Sequence, residues 1–81
     1  MNKLEILRVL LGDAIKTARE SRNVSRYMLA QKLGTQLYHV TRIENGIGDM
    51  RLSSVVKIAI ALDMAPGELL DPVAAGMRGN G

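Results

Sequence analysis

Apolar positions near the start of the chain recur in steps of three and four: Leu4, Leu7, Leu11, Ala14, Ile15 and Ala18. This spacing puts them on one face of an amphipathic helix that ends near Arg22. Gly12 interrupts the pattern, where glycine costs about 1 kcal/mol relative to alanine. The stretch is therefore expected as two pieces, an extension at residues 3–10 and a first domain helix at about 11–21. Ile6, Val9 and Leu10 exceed what one core face needs. They either cover the domain's own surface or pair with a second subunit. After the polar turn Ser21–Val24, Ser25 is placed to N-cap a second helix with Leu29, Ala30 and Leu33 inward. Gly34 supplies the positive φ that ends it.

A third helix is expected from about Gln36 to Glu44, with Thr35 or Gln36 at its cap and Asn45-Gly46 closing it. Val40 and Ile43 face inward, so a step of about 100° per residue turns Tyr38, Thr41, Arg42 and Asn45 outward. Two short helices across a glycine-containing turn form a helix-turn-helix. The outward row holds long polar side chains and an arginine, the inventory that reads base edges in a major groove. Beyond the loop Ile47–Arg51, a fourth helix at about 52–62 carries Leu52, Val55, Ile58, Ala59 and Leu62 inward. Val56 and Ile60 lie off that face, either as a dimer contact or in simple packing. Pro66 suits the first position of a last short helix through Leu70. Pro72 and the glycines beyond it predict a flexible tail. The expected organisation is an N-terminal helical extension (1–9), a DNA-binding domain (10–71) and a flexible tail (72–81).

Composition narrows the chemistry. Eighty-one residues make one small domain. Without cysteine there is neither a disulfide framework nor a thiolate metal site, and a lone His39 holds no metal. No apolar run reaches the roughly 18 residues of a membrane span, and no secretory layout is present, so a cytoplasmic protein is expected. A net charge of +3 leans only weakly towards a polyanion. Tyr27 and Tyr38 are the only aromatic residues, which argues against stacking readers of single strands or RNA. No nucleophile–base constellation, paired carboxylates or phosphate-cradling loop is in view. The expectation is a protein that is not an enzyme and uses no cofactor.

The segments LGDAIKTARE, SRYMLAQKLG, TQLYHVTRIENG, RLSSVVKIAIAL and APGELL, in that order, resemble the lambda-repressor-like helix-turn-helix domains of the Cro/XRE family. The resemblance covers about residues 10–71. It implies an all-α, compact five-helix bundle whose third helix enters the major groove of double-stranded DNA. It also implies a homodimeric repressor on an inverted repeat. By position, Gln36, Leu37, Tyr38 and Arg42 fall on base-reading sites, with Thr41 on the same face. Arg26 and Asn45 fall where relatives hold phosphate, with Ser25 and His39 beside them, and Arg51 lies where some members reach the minor groove. Arg19 and Glu44 match a pair of opposite charges that bridges the first and third helices.

Three departures bear on function. Arg26 stands where the family often has glutamine, a swap that should keep a phosphate contact. Leu37 is apolar where relatives are usually polar, which suits a thymine methyl. The loop Ile47–Met50 lacks the basic residues of many relatives and contains Asp49, which predicts modest backbone affinity. A second reading is an antitoxin-type module that neutralises a toxin partner protein and autoregulates its operon. A third is a protein-interaction adaptor that has lost DNA binding.

Overall fold

The computed structural model describes residues 1–79. These form five α-helices: α1 Lys3–Ser21, α2 Arg26–Leu33, α3 Leu37–Glu44, α4 Leu52–Ala61 and α5 Pro66–Gly79. No strand occurs among the described residues. The core is drawn from all five, with Ile15, Leu29, Val40, Ile58, Leu62 and Leu69 its largest fully buried side chains.

The helix ends follow local chemistry. The Asn2 side chain accepts a hydrogen bond from the Glu5 N–H at 2.8 Å, and Ser25 Oγ accepts one from the Met28 N–H at 3.0 Å. Each satisfies a donor that the first helical turn leaves unpaired. Gly34 caps α2 at φ 67°, so the chain turns sharply into α3. The Ala65 N–H donates to Glu68 Oε1 at 3.0 Å, starting α5.

Three expectations are corrected. The helix does not divide at Gly12, since α1 runs unbroken from Lys3 to Ser21. A Cβ on Gly12 would stand 2.6 Å from the Ile43 carbonyl oxygen and 2.7 Å from that of Glu44. The missing side chain lets the end of α3 back onto α1, so Gly12 marks an approach rather than a break.

Leu52 is not an inward residue. It is 72% exposed at the start of α4, whereas Val55, Ile58, Ala59 and Leu62 are buried. Met50, from the preceding loop, packs against the core at that end of the helix.

The segment expected as a flexible tail continues α5 as far as Gly79 with Pro72 inside the helix; residues 80 and 81 lie outside the described residues. Burial explains why. Val73 is buried, Met77 packs against the core, and Gly76 lies against the Leu10 side chain. The packing on α1 outweighs the ladder bond that proline removes. Leu10 thus covers α5, and Val9 lies on Gly46, so both apolar residues serve the domain's own surface.

Candidate nucleic-acid interface

α3 is too short to be stable by itself and is held by its inner face. Val40 is buried and Ile43 packs against the core. Glu44, its only acidic residue, is also turned inward. Arg19 grips the Glu44 carboxylate with two donors, Nε to Oε2 at 2.7 Å and Nη2 to Oε1 at 3.1 Å. A further bond runs from Arg19 Nη1 to the Val24 carbonyl at 2.8 Å, tying in the turn before α2. Arg26 adds a third donor, Nε to Glu44 Oε1 at 3.0 Å. Burial pushes the Glu44 carboxyl up, but the hydrogen bonds and charges of both arginines outweigh it and hold the group below its ordinary range. The same hydrogen bond to Glu44 holds the Arg19 guanidinium above its ordinary value. One carboxylate therefore joins α1, α2 and α3, and the cluster keeps a surplus positive charge.

Arg26 is shared between two tasks. Its Nε is committed to Glu44, while the side chain remains 39% exposed at the first turn of α2. Arg26 is the first residue of α2, whose unpaired backbone donors make a setting that favours an anion. Ser25 Oγ caps the same turn and keeps its hydroxyl proton to donate.

The outer face of α3 gathers the residues anticipated for base reading. Leu37 is 45% and Tyr38 62% exposed, Gln36 and His39 are exposed, and Thr41 and Arg42 are half-buried. They are not all free. Arg42 Nη1 donates to the Tyr38 hydroxyl at 3.1 Å, and the guanidinium carbon lies 5.5 Å from the Tyr38 ring centre. Thr41 Oγ1 donates back to the Leu37 carbonyl at 3.1 Å. Tyr38 and His39 meet edge to face, with ring centres 6.0 Å apart. Asn45 caps the C-terminus of α3 through its backbone N–H, and its side chain is exposed.

Beside α3 lies a cleft of about 500 Å3 between that helix, the loop Ile47–Arg51 and α4. His39, Arg42, Arg51 and Lys57 contribute its basic side chains, and Thr35 and Ser54 add hydroxyls. Arg51 is exposed at the N-cap of α4. Lys57 escaped the sequence reading because the cleft it shares with His39 is formed by elements brought together only in the fold. Arg8 escaped it too. Its Nε donates to Asp49 Oδ1 at 2.9 Å, and Nη2 bonds the same oxygen. The acid that the loop presents is thereby answered by a cation 41 residues away. On α4, Val56 is half-buried and Ile60 is 69% exposed. With Leu52 they form an outward stripe at four-residue steps. No helix among the described residues is long and apolar enough to cross a membrane.

A search among curated proteins finds no match to the sequence. Among solved structures, the clp gene regulator ClgR from Corynebacterium glutamicum superposes with a TM-score of 0.84 at 22% identity, over 91% of this chain and 79% of that one. A second ClgR structure gives 0.83 at 22% identity, over 88% and 91%. An HTH_3 family transcriptional regulator from Vibrio cholerae gives 0.79 at 24% identity, over 86% of this chain and 40% of its own length. At these identities the likeness shows the shared fold. The family model described as helix-turn-helix, HTH_3, matches residues 15–69. The chain therefore belongs to the HTH_3 helix-turn-helix family of Cro/C1 type, a family of DNA-binding transcriptional regulators.

Proposed function

We propose that this protein is a sequence-specific regulator that docks α3 into the major groove of duplex DNA, as a homodimeric repressor on a palindromic operator. The observation that carries the reading is the charge arrangement of α3. Its one acid is buried and neutralised by two arginines, so the exposed face offers Leu37, Tyr38, Thr41 and Arg42 without a carboxylate to repel phosphate. Arg42 supplies parallel donors that match guanine O6 and N7, and Leu37 suits a thymine methyl. Arg26, Ser25, His39, Asn45 and Arg51 hold the backbone around them, and Lys57 extends that set along the cleft.

The homodimer reading is supported by the stripe Leu52, Val56 and Ile60, whose exposed apolar surface is suited to burial against a second copy. Two recognition helices would then lie about 34 Å apart on an inverted repeat. Selection of bound sites from a randomised duplex pool near physiological salt tests the whole reading. An enriched inverted repeat is expected, and a reporter carrying that repeat in its promoter should fall in output when the protein is expressed. A folded protein that enriches nothing would overturn it.

A second reading, an antitoxin-type module with a toxin partner, draws support from the exposed apolar residues Leu4, Leu7 and Ile47, which line one shallow pocket. A stoichiometric protein partner co-purifying with the chain, and lost on Leu4→Lys/Leu7→Lys, would favour it.

A further inference from the structure

The Tyr38–Arg42 pair assigns a role to Tyr38 that its position on the recognition helix does not by itself suggest. We infer that Tyr38 is a positioning residue for Arg42, and that it determines specificity through the arginine rather than by touching a base of its own. The inference rests on the proposal that α3 reads DNA, and concerns how Arg42 finds its guanine.

Arginine on a helix has several rotatable bonds, and ordering it at a base edge costs side-chain freedom. Here much of that ordering is present without DNA. Long helical side chains lean towards the N-terminus, and Arg42 does so, reaching back one turn to give its Nη1 proton to the Tyr38 hydroxyl at 3.1 Å. The ring face is 5.5 Å from the guanidinium carbon, within the range of a cation–π attraction. A Cβ added at Gly48 would lie 3.8 Å from Arg42 Nη2, so the loop backbone also comes near the guanidinium.

This direction matters because the N-terminal half of a recognition helix is the part that approaches base edges. The hydroxyl takes only one of the guanidinium's protons, and the others still include the parallel pair that guanine requires. Tyr38 itself is left with its hydroxyl proton and a mostly exposed ring. No acid shares the face, so neither Arg42 nor Tyr38 is drawn elsewhere by a carboxylate; Asp49, the acid lining the neighbouring cleft, is held by Arg8.

The test uses the full chain and the duplex selected from the randomised pool, with binding measured against all four base pairs at each position. Arg42→Ala should lose guanine discrimination at one base pair by about tenfold or more. Tyr38→Phe, which keeps the ring and removes the acceptor, should lose about three- to tenfold at that same base pair. Its affinity for unrelated duplex should be unchanged. In the Arg42→Ala background, Tyr38→Phe should have no further effect. Neither side chain is buried in the core, and unchanged thermal unfolding confirms that each variant folds. A Tyr38→Phe effect at a different base pair, or one that adds to Arg42→Ala, would show Tyr38 reading a base directly and overturn the inference. So would an unchanged preference in Tyr38→Phe while Arg42→Ala loses it, an outcome that leaves the DNA-reading proposal intact. If Arg42→Ala itself changes nothing, the assignment of Arg42 fails and this role of Tyr38 fails with it.

Discussion

Glu44 shows how one residue sets both stability and electrostatics. Its carboxylate has no solvent contact and sits between Arg19, also buried, and the half-exposed Arg26. Glu44→Ala should destabilise the protein by about 3–5 kcal/mol, measured by urea unfolding, because it strands Arg19 in the interior. The folded-state value of Glu44 lies below its unfolded one. Its stabilisation is therefore complete above the ordinary glutamate value, about pH 4.3, and is lost as pH falls through the lower folded value. Stability should drop between those two points, and Glu44→Gln should flatten the drop. Two glycines give opposite expectations from the same substitution. Gly12→Ala should cost about 1–3 kcal/mol, since its Cβ would meet backbone carbonyls. Gly67→Ala, in the first turn of α5 with open space around it, should stabilise by up to about 1 kcal/mol. Melting temperatures should move in opposite directions.

At the scale of elements, α5 is the informative case. Proline and several glycines lower its intrinsic helix propensity, yet it extends to Gly79 because Val73, Gly76 and Met77 lie on α1. A chain ending at Asp71 should lose at least about 2 kcal/mol, the order of one buried aliphatic side chain. A merely flexible tail would cost nothing, so comparing the unfolding midpoints of the two chains decides it. The joint between α2 and α3 has the opposite character. Ser25, Gly34 and the apolar periodicity specify it locally, and it forms where those residues indicate.

For the whole molecule, the proposed reading of an inverted repeat requires two copies to pair. Leu52 and Ile60 are the most exposed residues of the α4 stripe. Leu52→Lys/Ile60→Lys should leave the fold intact and shift sedimentation towards the monomer. It should weaken binding to the full repeat more than to a half-site. Unchanged sedimentation would place the dimer contact elsewhere. The Arg8–Asp49 pair is exposed on the Asp49 side and contributes at most about 1 kcal/mol. Its larger consequence is electrostatic, since Arg8→Ala should leave Asp49 unanswered near the backbone track and weaken binding to all duplexes alike.

Helix identity, the helix-turn-helix and the outward face of α3 were legible in the sequence, because periodicity and capping act within a few residues. The compact all-α bundle of five helices was implied by the family resemblance. Tertiary structure decided the rest. Tertiary packing brought Lys57 into one cleft with His39 and Arg42, put Arg8 on Asp49 and gave Arg26 a share of Glu44. Close packing turned Gly12 from an expected break into a point of approach, left Leu52 outward while Met50 packs on the core, and kept α5 helical beyond Pro72. Each of these depends on residues far apart in the chain meeting in space, and local periodicity carries no record of such meetings.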